Sequence, residues 1–157
     1  MAYSLKFGPS TLTTGSIPVP KLFVTGTYTA TSDTDLTTSY ASHINTQLVL
    51  TSTSDVKITY SPSRIREESS GQALAYFSCS APAVADSREW YLAKNIHDYV
   101  AQTAGSQWIF PAVPSGTHTF YLMVKKINGN VKMNRVVAQD GFAFDARDVL
   151  YVETINR

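Results

Sequence analysis

The sequence predicts an all-β protein, an antiparallel β-sandwich or jelly roll of about eight strands with an extended N-terminal arm. The first observation is composition: 18 threonines, 17 serines and nine tyrosines occur in 157 residues, and charged residues make up only 16%. Threonine, tyrosine, valine and isoleucine fit the pleated, half-buried surface of a strand. The second observation is a series of short runs in which apolar and polar residues alternate. The third is that glycine, proline or asparagine ends most of these runs.

The clearest pattern is a hairpin predicted between Val113 and Val137. The segment 114–116 has the composition of a turn, an alternating run follows it, and Asn128-Gly129 predicts a tight turn into a returning run. An isolated hairpin is marginally stable in water, so further strands must cover its apolar face. We therefore expect this hairpin to lie at the centre of the fold.

Further strands are predicted in chain order from the same alternation: Leu22–Tyr28, Thr46–Leu50, Val56–Tyr60, Gln72–Ser80, Gln107–Phe110 and Val149–Ile155. Residues 62–72 are charged and rich in serine, which indicates an exposed loop. Residues 86–102 allow two interpretations, because their apolar residues fall at helical spacing but could equally form a strand entering a long loop. We favour the strand and loop.

The chain divides into an arm, residues 1–26, and one sandwich domain, residues 27–157. The arm contains prolines, glycines and two lysines but no acidic residue, so we expect extended backbone. Its apolar side chains must lie on a surface, either the sheet edge of the same domain or a partner. These apolar side chains include Tyr3, Leu5, Phe7, Leu12 and Ile17.

The sequence shows little sign of a catalytic or metal-binding motif, so we expect no enzymatic activity, no cofactor and no metal. The three histidines lie in unrelated stretches without metal-ligand spacing, and the His97-Asp98 pair has no identifiable nucleophile beside it. The adjacent carboxylates Glu67 and Glu68 are interpreted as solvated, as are Asp140, Asp145 and Asp148. Cys79 is alone, so it is expected to be a small core residue.

Charge and hydropathy also limit the classes of partner that we expect. A formal net charge of +1 favours neither a nucleic-acid partner nor an acidic substrate. The chain opens without a secretory signal pattern and contains no apolar run of membrane-spanning length, so we expect a soluble protein made in a cytoplasm.

Two sets of aromatic and apolar residues are candidates for binding. Tyr121 and Met123 alternate with the core face of the predicted hairpin, where an isolated sandwich would show polar residues, and this favours a subunit interface over a ligand pocket. Trp90, Tyr91 and Trp108 could instead stack against sugar rings, although core packing is the default for aromatic residues.

The stretch from Gln107 to Asn156 resembles the C-terminal half of the small jelly-roll domains in tailed-phage virion proteins. The likeness lies in the 113–120 run Val-Pro-Ser-Gly-Thr-His-Thr-Phe and the closing Leu-Tyr-Val-Glu strand at 150–153, with upstream support from Thr37–Tyr40 and Leu48–Leu50. Those domains are similar in fold to the trimeric tumour-necrosis-factor and complement globular-head domains. The tight Asn128-Gly129 turn departs from the long loop that many of them have.

The resemblance implies a homotrimer on a virion made in the host cytoplasm. The chain has an arm but no repetitive shaft, which favours a capsid decoration protein that binds the major capsid protein on the outer head surface. Tyr121 and Met123 would then lie in the trimer interface. Contact with the capsid would be made by the arm residues Tyr3, Leu5, Phe7, Leu12 and Ile17. The alternative is a receptor- or carbohydrate-binding module of a tail fibre or tail tip, which would use Trp90, Tyr91 and Trp108.

Overall fold

The computed structural model describes residues 21–29, 34–62, 65–67, 71–94, 104–129, 131–133 and 147–155, and these residues contain strands but no helix. The arm residues Tyr3, Leu5, Phe7, Leu12 and Ile17 lie outside the described residues. The predicted arm nevertheless ends inside a strand, because residues from Phe23 onward pair with the last strand of the fold.

Eleven strands are formed by the described residues: β1 (Phe23–Thr29), β2 (Thr34–Asp35), β3 (Ala41–Leu50), β4 (Ser54–Ser61), β5 (Ile65–Glu67), β6 (Gln72–Cys79), β7 (Trp90–Lys94), β8 (Ser106–Val113), β9 (Gly116–Asn128), β10 (Val131–Met133) and β11 (Arg147–Ile155). Eight of them form two four-stranded antiparallel sheets, sheet I in the order β1-β11-β4-β8 and sheet II in the order β3-β9-β6-β7. The short strands β2, β10 and β5 form a small third sheet.

The connectivity of the eight long strands is that of a jelly roll. Counted along the chain, the first pairs with the last (β1 with β11), the second with the seventh (β3 with β9), the third with the sixth (β4 with β8) and the fourth with the fifth (β6 with β7). Strands β1 and β3 also contact each other across the sandwich. The predicted all-β sandwich of about eight strands is confirmed.

The core lies between sheets I and II and follows from the period of two in each strand. In β9, Phe120, Leu122 and Val124 face inward and are buried, as the sequence predicts. The Phe110 ring of sheet I lies 5.7 Å from the Phe120 ring of sheet II, so aromatic packing joins the two layers. Cys79 is buried as expected, and burial raises the pKa of its thiol, which makes it a poor nucleophile.

Strand β1 passes close to β3 at Gly26. A Cβ atom on Gly26 would lie 2.7 Å from the backbone oxygen of Asn45 and 3.1 Å from a methyl carbon of Ile44. This position therefore has no room for a side chain, and its glycine is required by contact between backbones rather than by a turn.

The predicted central hairpin is wrong in one respect. Gly129 has the positive φ of 70° that a turn requires, but β9 and β10 do not pair with each other in the described residues. Strand β9 instead lies between β3 and β6, and β10 pairs with β2 and β5. A 13-residue central strand needs long partners along both edges, and the three residues of β10 cannot supply one.

The expected loop at residues 62–72 also needs correction, because it contains β5, which pairs with β10. Within 86–102 the strand interpretation is confirmed at β7, and residues 95–103 lie outside the described residues. The remaining predicted strands are all present, most of them longer than predicted because polar residues at their ends still continue the ladders.

Candidate functional site

The outward face of sheet II carries the predicted interface residues. Tyr121 and Met123 lie on central strand β9, both half-buried and both on the face opposite the core. Met123 pairs with Ser42 on one side and Tyr76 on the other, and Tyr121 pairs with Asn45 and Ser78. A thioether and two phenol rings therefore form an apolar centre bordered by small polar side chains.

A network of four side chains fixes one end of this face. The ring of Tyr40, just before β3, packs edge-on against the Tyr76 ring with 4.7 Å between centroids. The Tyr40 hydroxyl donates a 2.5 Å hydrogen bond to Glu89, and the Lys125 ammonium lies 4.2 Å from the centre of the Tyr40 ring and 3.9 Å from the Glu89 carboxylate. Desolvation, and then the bond to Glu89, raise the pKa of Tyr40. The aromatic surface beside Met123 is thus held in a fixed arrangement.

The proposed sugar-stacking residues do not share one face. Trp90 pairs with buried Ala75, faces the core and lies 4.6 Å from the Phe77 ring, whereas the next residue, Tyr91, points outward and is 47% exposed. Trp108, on β8 of the other sheet, pairs with buried Ile58 and packs partly against the core. Among the described residues, the buried indole N–H groups of both tryptophans have no acceptor. The glycan-binding role of these residues stays a prediction.

An open groove lies beside β4 and β8 of sheet I. The groove has a volume of about 490 Å³, and the described residues that line it are Lys57, Gln107, Trp108 and Ile109. Beside it, Glu153 makes a close ion pair with Lys21 and a looser one of 3.7 Å with Lys57. The contact with Lys21 is the main cause that lowers the pKa of Glu153.

A buried polar cluster between the sheets was missed by the sequence analysis. Asp148, expected to be a solvated turn carboxylate, is completely buried at the start of β11. Its Oδ2 lies 2.8 Å from Nε2 of His43 and accepts a 3.1 Å hydrogen bond from the Tyr60 hydroxyl. A register shift between Ser42 and Ile44 places His43 as the extra residue of a bulge, and its side chain reaches across from sheet II.

The cluster ties β3, β4 and β11 together. A histidine oriented by a carboxylate can act as a base, but the third member, Tyr60, is buried and the pKa of its hydroxyl is raised by burial and by the charge of Asp148. The alternation of β11 could have predicted that Asp148 is buried, because Asp148 shares its face with buried Leu150 and Val152. His43, 105 residues earlier in the chain, gave no sign of the contact.

His118 makes a local contact within the fold. His118 is buried on β9, and its Nε2 donates a 2.9 Å hydrogen bond to the carbonyl of Pro114. His97 lies outside the described residues.

The alkaline limit of stability should follow from two tyrosines, buried Tyr60 and half-buried Tyr76. Because desolvation raises the pKa of Tyr60 and of Tyr76 above the ordinary value near 10, both hydroxyls stay neutral in the folded protein at pH values where they ionise in the unfolded chain. Their contribution to the free energy of unfolding is complete below pH 10 and is lost as the pH rises above it. For Tyr60 the free energy of unfolding falls by up to about 1.4 kcal/mol per pH unit.

Urea unfolding at pH 8, 10 and 11 measures this loss. In Tyr60→Phe the hydroxyl is absent, so the decline above pH 10 should be shallower than in the parent protein. An unchanged free energy of unfolding between pH 8 and pH 11 would contradict the prediction.

Within the described ranges, no group of three or more histidine, cysteine, aspartate or glutamate side chains is placed to hold a metal ion. The same residues contain no helix long and apolar enough to cross a membrane. Compared with known proteins, the chain matches no family model and no curated relative.

Proposed function

We propose that this protein is a capsid decoration protein of a tailed phage, which assembles as a trimer and stabilises the head by binding the major capsid protein. The observation that carries the proposal is the outward face of sheet II, with Tyr121 and Met123 at the centre of a jelly-roll sheet. The resemblance of the 107–156 stretch to phage jelly-roll domains supports a location on the virion.

The chemistry of this face suits association between protein chains. Protein interfaces have apolar centres enriched in tyrosine and methionine and depleted of charge, surrounded by polar rims. Tyr121, Met123 and Tyr76 provide such a centre, and Asn45 and Ser78 border it. The ordered network around Tyr40 lowers the entropic cost of binding, because these side chains are already fixed before a partner arrives.

Capsid attachment is assigned to the arm. Apolar side chains contribute about 25 cal/mol for each Å² removed from water. Three arms on one trimer would bind together, so a weak contact by each arm becomes a durable attachment by all three. The role requires no catalysis and no cofactor, in agreement with what the sequence predicts.

Self-association is tested by Met123→Glu. A buried carboxylate at the centre of the interface is expected to cost more than about 2 kcal/mol of association energy, which shifts the trimer to monomer at micromolar concentration. The matched control is Phe23→Glu, an apolar-to-acid change at a 54% exposed position on sheet I, which should leave the trimer intact. Sedimentation velocity measures the oligomeric state of both variants.

A parent protein that sediments as a monomer across the accessible concentrations would overturn the trimer. A trimer that persists in Met123→Glu would move its interface away from the sheet II face.

Capsid binding is tested by deletion of residues 1–20. We expect the shortened protein to remain a folded trimer and to lose co-sedimentation with capsids that lack the native protein. Full binding by the shortened trimer would show that the arm is not the attachment, and no binding by the parent protein would contradict the decoration role.

A further inference from the structure

The bulge in β3 connects the buried cluster around Asp148 with the outward face of sheet II. We propose that His43 is a positioning residue for self-association, because its contact with Asp148 holds the bulge that turns Tyr40 outward. The effect on the trimer rests on the proposed function. The control of Tyr40 by His43 rests on the fold and can be measured in a single chain.

The alternation of side chains along β3 shows what the bulge does. Ile44 is buried and pairs with Leu122, which faces the core. Ser42 pairs instead with Met123, which lies on the outward face. Residues two apart on a regular strand share one face, so the extra residue between them has shifted the alternation by one position. Without this shift, the residue just before β3, Tyr40, would point towards the core.

The outward position allows Tyr40 to form its network. The ring packs edge-on against Tyr76 at 4.7 Å, the hydroxyl donates to Glu89, and the Lys125 ammonium lies 4.2 Å from the ring centre. Tyr76 in turn pairs with Met123 at the centre of the face. If Tyr40 turned inward, these three contacts would be lost together. The side chains beside Met123 would then have to be ordered during binding, at an entropic cost.

The contact with Asp148 holds the bulged residue in place. Strand β3 is an edge strand of sheet II, and a bulge interrupts the ladder at that point. The His43 side chain is nevertheless only 4% exposed, and its Nε2 lies 2.8 Å from Oδ2 of the completely buried Asp148. The Tyr60 hydroxyl donates to the same oxygen from sheet I. Withdrawal of the imidazole would cost a buried carboxylate one of its partners, and this cost favours the bulged register.

Two amide substitutions separate the reach of the side chain from its polarity. The amide nitrogen of glutamine is as many bonds from the backbone as Nε2 of histidine, whereas that of asparagine is one bond nearer. His43→Gln should therefore keep the contact with Asp148, and His43→Asn should lose it. Tyr60→Phe is the matched control, because it removes the other donor to the same carboxylate without changing β3.

The position of the Tyr40 ring is measured by NMR in protein that carries isotope-labelled tyrosine, with Tyr40→Phe for assignment. Packing against the Tyr76 ring displaces the Tyr40 resonances from their values in an unfolded chain. We expect parent-like resonances in His43→Gln and Tyr60→Phe, and a shift towards the unfolded values in His43→Asn. In sedimentation equilibrium, association should weaken about tenfold or more in His43→Asn and less than about threefold in the other two.

The outcomes distinguish this proposal from the proposed function. Unmoved Tyr40 resonances in folded His43→Asn would overturn the positioning role, whatever the oligomeric state. Equal loss of association in His43→Asn and Tyr60→Phe would also overturn it, because general destabilisation would then explain both. A monomeric parent whose Tyr40 resonances respond as expected would contradict the trimer and support the control of Tyr40 by His43.

Hydrogen exchange of the unsubstituted protein tests the same contact if His43→Asn does not fold. The slowest amides of residues 42–44 should exchange within about tenfold of the slowest amides of β9, although β3 is an edge strand. Exchange more than about a hundredfold faster than in β9 would show that the bulge is not held, and it would overturn the proposal.

Discussion

Replacement of Asp148 by alanine is expected to lower the free energy of unfolding by about 3–5 kcal/mol. The side chain is completely buried and joins His43 of sheet II to Tyr60 of sheet I. Its removal leaves two buried polar groups without this acceptor, and each unsatisfied group costs about 1–3 kcal/mol. The loss should exceed that of an ordinary surface substitution several-fold.

Urea unfolding at one fixed protein concentration measures the change, since assembly also stabilises the folded chain. Asp86→Ala is the matched control, because Asp86 is exposed and its loss should change stability by less than about 0.5 kcal/mol. A double-mutant cycle with His43→Ala should show that the two effects are not additive. Equal stability of Asp148→Ala and Asp86→Ala would mean that the cluster does not hold the sheets together.

Phe120→Ala is the second substitution with a large expected effect. It should lower the free energy of unfolding by about 3–5 kcal/mol. Phe120 is fully buried on the central strand of sheet II, and its ring packs against Phe110 of sheet I at 5.7 Å. Truncation removes apolar contacts on both layers and leaves a cavity that the long strands, paired on both edges, cannot close by moving.

The control for this substitution is Phe23→Ala. Phe23 is 54% exposed and touches mainly the Tyr151 ring on the outside of sheet I, so the same chemical change should cost no more than about 1.5 kcal/mol. Thermal or urea unfolding compares the two variants. Similar losses at both positions would contradict the assignment of Phe120 to the core between the sheets.

The candidate binding residues were predictable to different degrees. Tyr121 and Met123 could be placed on an outward face from alternation alone, because Phe120, Leu122 and Val124 between them define the inward one. The groove could not be predicted, since Lys57 and Ile109 become neighbours only through the pairing of β4 with β8. Trp90 and Tyr91 show the limit of composition: adjacent aromatic residues on a strand point in opposite directions.

The all-β class, the position of most strands and the inward face of β9 could be predicted from the sequence, because period-two alternation and turn residues are local properties. The tertiary structure alone decided which strands pair: Asn128-Gly129 turns the chain, yet β9 pairs with β3 and β6 because long strands satisfy their backbone groups best with long partners. The burial of Asp148 also depends on the tertiary structure. A carboxylate at a strand end is solvated or buried according to the side chains that face it. His43 and Tyr60 face Asp148 only once the two sheets have packed together.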